Sequence, residues 1–373
     1  MPNYRVAVIG RTGRGNYGHG LDMVWLQIPN AQIVAVADEN EAGRNAAQKR
    51  LGAKNAYADF RQMLQKERPQ IVSVADRHLD LHRDMVIACA EAGASIFLEK
   101  PICRTLQESD EMVAACEKHH VKLAIAHQTR YSPCLQRVKE MITAGRIGDI
   151  IELRGRGKED ARAGGEDLMV LGTHVMDLMR FIAGDARSCF AQVGVVGKER
   201  VTPITKADLR DGGEGMGLIA GNHINASYTF DRGVIGHFST VRAAREKGDR
   251  DRFGLVIHGT RGVIQLTTGN LPACFYLADP SWFPGRSRAN WQPITSQGLG
   301  KEETLKDGGL VQGNVWIAQD LMQAIERDRQ PKGSVYDGRA ALEMIHAVYE
   351  SARTRGPVEL PLRNRRNPLA TFG

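Results

Sequence analysis

The sequence predicts an α/β N-terminal half, built as a doubly wound parallel sheet, followed by an α+β C-terminal half with a mostly antiparallel, open sheet. Three observations lead there. Up to residue 126, continuous apolar runs alternate with helix-like stretches, the pattern of strands covered on both faces by crossover helices. The first run enters a loop dense in glycine and the second ends on an acid. Past residue 130, strand-like segments follow one another with little helix between them, as in a sheet with one open face. The organisation read from this is 1–126, 127–362 and a basic tail at 363–373.

The first strand is Tyr4-Arg5-Val6-Ala7-Val8-Ile9, and it opens into Gly10-Arg11-Thr12-Gly13-Arg14-Gly15-Asn16-Tyr17-Gly18-His19-Gly20. Leu21, Val24, Trp25 and Ile28 then recur at helical spacing until Pro29-Asn30 stops them. Ile33-Val34-Ala35-Val36-Ala37 is the second strand, and Asp38 ends it. Strand, glycine loop, helix, strand, acid is the arrangement that holds a dinucleotide. Glycines let the backbone turn sharply and let a pyrophosphate approach it, and a helix N-terminus attracts the phosphates. An acid at the end of the second strand accepts from both ribose hydroxyls and repels a 2′-phosphate, so Asp38 argues for NAD over NADP. The candidate cofactor residues here are Gly10, Arg11, Thr12, Gly13, Gly15 and Asp38. Counted from Gly10, the glycines fall at 13, 15, 18 and 20 rather than at the G-x-G-x-x-G spacing. The loop is therefore long, and which glycine faces the pyrophosphate stays open.

The remaining elements follow in order. Residues 41–51 read as a helix closed by Gly52, and 57–60 as a short strand or turn before a helix with Met63-Leu64. Ile71-Val72-Ser73-Val74-Ala75 is a buried strand, 80–92 a helix ended by Gly93, and Ser95-Ile96-Phe97-Leu98 a strand leading into Glu99-Lys100-Pro101. A helix at 105–118 and a strand at 122–126 complete the half. Beyond it come a helix near 133–144, an alternating strand at 150–156 and a helix near 166–182. Strands are expected at 189–196, 223–230, 234–241, 253–258 and 262–267, loops at 198–221 and 270–312, helices near 313–328 and 337–354, and an extended strand at 357–362.

Composition narrows the function classes. The formal net charge is +7, but basic residues are dispersed among acids, with no basic helix or aromatic-basic array, so a solvated surface is favoured over nucleic acid. A positive field would also suit an anionic ligand. The six cysteines are scattered with no C-x-x-C pair, which fits reduced structural thiols, and no metal site is read. No apolar stretch reaches membrane-spanning length, and the first strand begins with no charged and apolar leader, so the expected compartment is the cytoplasm.

Together these features resemble the Gfo/Idh/MocA oxidoreductases, the glucose–fructose oxidoreductase, inositol dehydrogenase and rhizopine-catabolism type. The resemblance rests on the glycine loop, Asp38, Glu99-Lys100-Pro101, and His174 in Gly172-Thr173-His174-Val175-Met176-Asp177. It extends to Asp337-Gly338-Arg339-Ala340-Ala341-Leu342-Glu343 and covers essentially the whole chain. It implies a Rossmann domain, a catalytic Lys100, Glu99 beside the nicotinamide, and a dimer or tetramer. Where the family has T-P-N after the third long strand, this chain has Asp76-Arg77-His78, with His82 matching the histidine that follows. Arg77 and His78 are therefore taken to face the cofactor.

The chemistry of these residues agrees. Lys100 follows the carboxyl end of a parallel strand, where ligands bind, and its ammonium can hold a reacting oxygen or stabilise a developing alkoxide. Removing a hydride from C–H requires the neighbouring O–H to lose its proton, and a histidine such as His174 suits that at neutral pH. The family places an aspartate one turn before this histidine; here the position is Val170. Asp167, about two turns before His174, either substitutes for it or serves as an acid favoured at a helix N-terminus. Arg130, Tyr131 and Pro133 match the family's R-[FY]-x-P, with Tyr131 able to reach substrate and Arg130 structural. His127 either faces substrate or packs. Arg154, Arg156 and Lys158 share one strand face with Glu152, forming either an anion-binding row or a solvated charged ladder. The loop from Asp279 to Trp291 carries two tryptophans, suited to a subunit contact or to sugar stacking.

The reading is an NAD-dependent oxidoreductase acting on a secondary hydroxyl of a sugar, cyclitol or sugar acid. Two alternatives stand beside it. One is a glycosidase or epimerase that retains its cofactor through oxidation, elimination and reduction; the other is an inactive dinucleotide-binding regulator.

Overall fold

A computed structural model describes residues 3–197, 200–242, 252–306 and 308–372. The chain forms two compact units: one holds the N-terminal segment through Gln128 with Gly213–Gly217 and Gly308–Arg339, the other the remainder.

The first unit is a six-stranded parallel sheet. Its strands are β1 (Tyr4–Ile9), β2 (Ala31–Ala37), β3 (Asn55–Tyr57), β4 (Ile71–Val74), β5 (Ser95–Leu98) and β6 (Leu123–Ile125). Helices α1 (Glu41–Leu51), α2 (Phe60–Glu67), α3 (His82–Glu91) and α4 (Leu106–Lys118) connect them. The order is β3-β2-β1-β4-β5-β6, so the direction of winding reverses between β1 and β4. Loops leaving those two strands meet at the reversal, where doubly wound sheets take ligands. The apolar runs are buried on both faces: Val6, Ala7, Val8, Val72, Val74, Ile96, Phe97 and Leu98 have no exposed surface. Each larger side chain among them contributes roughly 1.5–3 kcal/mol by leaving water. Helices α1 and α4 begin where short polar side chains satisfy free N–H groups: Asn40 accepts from the Gly43 amide at 2.8 Å, and Thr105 from the Glu108 amide at 3.2 Å.

One expected element is different. No α-helix follows the glycine loop; turns lead into a single 3₁₀ stretch, Met23–Gln27. Gly13, Gly15, Gly18 and Gly20 all adopt positive φ, a conformation that keeps the chain out of the right-handed helix as far as Gly20. The apolar residues still bury as predicted, with Trp25 set edge-on to Phe97 at 6.4 Å.

The second unit begins with α5 (Pro133–Thr143) and β7 (Ile150–Arg156). The expected helix near 166–182 is two helices, α6 (Gly165–Val170) and α7 (Gly172–Ala183), separated at Leu171. Then come β8 (Ser188–Val196), β9 (Val201–Pro203), β10 (Arg210–Asp211), β11 (Leu218–Ile219), β12 (His223–Thr229), β13 (Ile235–Val241), β14 (Gly254–Gly259) and β15 (Val263–Thr267). β16 (Cys274–Leu277), β17 (Gln292–Thr295) and β18 (Gly298–Leu299) lie inside the stretch expected to be loop, as do β9 to β11 in the earlier one. Helix α8 (Gly309–Glu326) returns to the first unit and packs on β5 and β6; α9 (Val335–Thr354) and a two-residue β19 (Val358–Glu359) close the chain.

Apart from the β10–β11 hairpin, these strands form one sheet in the order β18-β17-β16-β15-β14-β7-β13-β12-β8-β19, with β9 beside β8. Among the described residues, only β7 and β13 pair in parallel in this sheet. One face takes α7, whose Val175 and Met179 fill the space a Cβ on Gly155 would occupy. The other face carries Arg154, His237 and Phe190 in one cross-strand row, with Phe190 47% exposed. Trp282 is tucked against its own sheet, its ring tilted at 47° to that of His258 at 4.5 Å and its Nε1 donating to the Gly259 carbonyl. The tail is docked: Arg365 pairs with Glu343, and Leu369 is buried. All six cysteines are free and buried, and burial pushes Cys134 up to about 11 and Cys116 up to about 12, so neither is a thiolate at neutral pH. Among the described residues, no helix is long and apolar enough to cross a membrane.

Candidate active site

In the first unit the site is built on the loops after β1, β2, β4 and β5. The glycine loop is closed on itself by paired backbone bonds between Arg11 and Asn16, both 3.0 Å, and by the Asn16 side chain accepting from the Gly13 amide. Its glycines are not equivalent. A Cβ on Gly10 would meet the Tyr17 ring at 2.4 Å, one on Gly15 the Arg77 side chain at 2.6 Å, and one on Gly18 the Ala75 carbonyl at 2.7 Å. A Cβ on Gly13 would meet nothing within 4 Å. The glycine with an open approach is therefore Gly13, four residues past the end of β1, and Gly13, Gly15 and Gly18 themselves keep the G-x-G-x-x-G spacing.

Asp38 directly follows β2 and is 2% exposed. Its carboxylate accepts from the Thr12 hydroxyl at 2.6 Å, from the Thr12 amide at 3.0 Å and from the Asn40 amide at 3.0 Å. These bonds fix the acid in place and leave part of its acceptor capacity, about four lone pairs, for a ribose. An open glycine at the reversal of the sheet and a fixed acid at the end of β2 fit a dinucleotide.

Arg11, within this loop, is 8% exposed and held by two carboxylates. Its Nη1 bonds Asp76 at 3.0 Å and Asp80 at 2.8 Å. Arg77 pairs with Glu214, and the His78 amide donates to Asp76 at 2.9 Å. The two arginines predicted to face the cofactor thus bind carboxylates of their own unit.

At the end of β5, Glu99 is 1% exposed and Lys100 is 8% exposed. One Glu99 oxygen lies 2.7 Å from His19 Nδ1 and 3.8 Å from Lys100 Nζ. Burial pushes the Glu99 carboxyl up, but the His19 hydrogen bond and the charges of His19 and Lys100 outweigh it and hold it below the ordinary 4.5. His19 is fixed in turn: its carbonyl accepts from Asn314 at 2.9 Å, and Asn314 accepts from Gln128 at 2.7 Å. The Lys100–Pro101 peptide is cis. His127 is buried, with its amide on the Ile125 carbonyl at 2.8 Å.

In the second unit, the 3₁₀ turn Gln128–Tyr131 presents Tyr131, 4% exposed, and Arg130. Arg130 binds Asp177 of α7 through Nε and Nη2, the latter at 2.6 Å. His174 stands one turn earlier on α7, half-buried, with its ring edge-on to Phe253 at 6.2 Å. Asp167 is fully buried and accepts from the Thr240 hydroxyl at 2.5 Å and from the amides of Lys158 and Glu159. Burial keeps its carboxyl above the ordinary 3.8 despite those donors. The break at Leu171 takes Asp167 and Val170 off the helix that carries His174. Arg154 and Arg156 lie on the sheet face opposite α7, where Arg154 pairs with Glu152 at 2.7 Å and Arg156 with Glu159 at 2.7 Å. Lys158 lies 3.6 Å from Asp160.

Sequence reasoning missed His19, Asn314, Thr240 and Phe253. His19 carried a signal, a titratable group inside the glycine stretch; the others are set by contacts with residues distant in sequence.

Two family models match. Residues 4–127 match the oxidoreductase family with an NAD-binding Rossmann fold, and residues 135–265 match the Gfo/Idh/MocA C-terminal domain. The chain belongs to the Gfo/Idh/MocA family. As a Gfo/Idh/MocA protein it is an oxidoreductase with NAD as its cofactor. It is 26% identical to levoglucosan dehydrogenase of Pseudarthrobacter phenanthrenivorans, over 90% of this chain and 90% of that one. D-apiose dehydrogenase of Paraburkholderia graminis is also 26% identical, over 93% of this chain and 88% of the relative. The same fold is seen in levoglucosan dehydrogenase solved with NADH, at a TM-score of 0.77 and 22% identity, covering 96% of this chain and 99% of that one.

Proposed function

We propose that this Gfo/Idh/MocA protein oxidises a secondary hydroxyl of a sugar, cyclitol or sugar acid, or reduces the corresponding ketone. The observation that carries the reading is the cluster of buried Glu99 and Lys100 at the carboxyl end of β5 with the half-buried His19 of the glycine loop. It keeps a fixed ammonium where a doubly wound sheet presents ligands. NAD, when bound, supplies the acceptor for the hydride. Lys100 holds the reacting oxygen and offsets the negative charge that grows on it. His174 takes the hydroxyl proton, and Tyr131 contacts substrate beside it. Glu99 fixes the Lys100 ammonium, and Asp38 holds the ribose. Names of the relatives support the substrate class: levoglucosan, apiose and myo-inositol are carbohydrates or cyclitols. We take the protein to work as a homodimer or homotetramer.

NADH absorbance measured against a panel of anhydrosugars, aldoses, cyclitols and sugar acids tests this. Turnover on at least one, lost by two or more orders of magnitude in Lys100→Met and His174→Ala, is the expected result. Wild-type rates in both variants would remove the assignment. A second reading is favoured by Val170, buried and apolar where the family has an aspartate. In that reading the cofactor is reoxidised within one catalytic cycle, so native mass spectrometry finds stoichiometric nucleotide and no free NADH accumulates.

A further inference from the structure

His19 lies between two glycines that let the loop run close to two different elements. A Cβ on Gly18, at φ 62°, would meet the Ala75 carbonyl at 2.7 Å and Glu99 Oε2 at 3.4 Å. One on Gly20, at φ 84°, would meet Val311 of α8 at 3.0 Å. The His19 ring turns to the first side, with Nδ1 2.7 Å from Glu99 Oε1, and its carbonyl turns to the second.

Partners fix both directions. Glu99 is buried and ionised at neutral pH, so its oxygen accepts and His19 Nδ1 carries the hydrogen, whether the ring is neutral or charged. On the α8 side the amides fit in one orientation. The Leu310 carbonyl accepts, so the Gln128 side chain presents its NH2 there, at 3.2 Å. That NH2 also donates to Asn314 at 2.7 Å, which leaves the Asn314 NH2 for the His19 carbonyl at 2.9 Å. Asn314 has no exposed surface, so these bonds stand in for water that does not reach it. Helix α8 is itself seated on β5, β6 and the 3₁₀ stretch that follows the loop.

We propose that His19 is a positioning residue for Lys100, and that Asn314 sets it in place. The path runs from α8 through the His19 carbonyl to its ring, then to Glu99 Oε1, which lies 3.8 Å from the Lys100 ammonium. The donor from His19 occupies that oxygen and keeps the carboxylate turned toward the glycine loop. Without it, a buried carboxylate is short of a donor, and the neighbouring ammonium closes on it to supply one. An ammonium drawn onto Glu99 no longer holds the reacting oxygen. His19 and Gly13 belong to one loop, so the segment that receives the cofactor also places the ammonium. The effect on turnover rests on the assignment of Lys100 to the reaction; the link between His19 and Glu99 does not, and it is read without substrate.

The experiment compares His19→Leu, which deletes the donor, with His19→Asn, which sets an amide N–H near the place of Nδ1. Each is made alone and in a Glu99→Leu background. NADH absorbance follows turnover on a substrate from the panel above, and calorimetry gives the NAD affinity. His19→Leu is expected to lower kcat about tenfold or more, with KM and the NAD Kd changed less than about threefold. His19→Asn stays within about threefold of wild type, and His19→Leu adds less than about threefold to the loss in Glu99→Leu. Equal losses in the leucine and asparagine variants, or losses that multiply with Glu99→Leu, overturn the proposal. So does a wild-type kcat in His19→Leu where Lys100→Met is inactive; were Lys100→Met active as well, the assignment of Lys100 would fail with it. Without substrate, the fall in urea midpoint caused by His19→Leu should shrink to less than about half in Glu99→Leu, and an undiminished fall overturns the link between the two side chains. Asn314→Ser should add less than about threefold to His19→Leu, and losses that multiply remove Asn314 from the path.

Discussion

Arg130 and Asp177 form a two-pronged ion pair, Nε at 2.9 Å and Nη2 at 2.6 Å, and their side chains are only 7% and 1% exposed. The pair joins the turn carrying Tyr131 to the helix carrying His174. Removing one partner strands the other charge out of water, which costs about 3–5 kcal/mol. Arg130→Met and Asp177→Leu should each lower unfolding stability by that order in urea titrations. The double variant should recover much of the loss, since no isolated charge remains. If the single and double variants lose equally, the pair is not what sets the cost.

The parallel sheet was legible because its strands are buried on both faces and read as apolar runs, as Val6 to Ile9 and Ile96 to Leu98 do. The places of Asp38, Glu99 and Lys100 just past the carboxyl ends of β2 and β5 were legible because each follows an apolar run directly. The helix expected over Leu21 to Ile28 was not, since its apolar spacing is real but glycines at positive φ hold the preceding backbone out of register. Nothing in a period of 3.6 marks the break at Leu171. Short edge strands such as Gly298–Leu299 leave too few residues for alternation to show. Partnerships such as Asn314 with the His19 carbonyl span nearly the whole chain, and spacing carries no trace of them.

Glu99 makes acid stability a readout of the cluster. Its folded pKa lies below the ordinary 4.5, so it binds its proton less readily in the folded chain than in the unfolded one. The stability it contributes is therefore complete above pH 4.5 and is lost as the pH falls through that value toward the lower folded one. Glu99→Gln should unfold more easily than wild type at pH 7, and the gap should narrow as the pH falls below 4.5. A gap that stays constant down to pH 3 would falsify this.

The glycine loop should separate packing from ligand approach. Gly18→Ala drives a methyl against the Ala75 carbonyl at 2.7 Å and adds strain at φ 62°, so thermal stability should fall clearly. Gly13→Ala also strains a positive φ, at about 1–2 kcal/mol, but meets no neighbour. Its main effect should be on NAD binding, with Kd raised about tenfold or more in calorimetric titrations. Unchanged affinity in Gly13→Ala would move the pyrophosphate to another part of the loop.

Thr12 and Asp38 together should set the choice of cofactor. Asp38→Asn keeps an acceptor for Thr12 but removes the charge that repels a 2′-phosphate, so the ratio of kcat/KM for NAD over NADP should fall by about tenfold or more, each tenfold being about 1.4 kcal/mol. Thr12→Val keeps the shape and deletes only the hydroxyl at 2.6 Å from the carboxylate. A hydrogen bond to a charged group contributes about 1.5–3 kcal/mol, so this variant should lose stability of that order without cofactor. Its Asp38 keeps the charge but is held less firmly, so NAD binding should weaken while NADP remains a poor substrate. If Thr12→Val instead accepts NADP as readily as Asp38→Asn does, discrimination lies in where the carboxylate is held rather than in its charge.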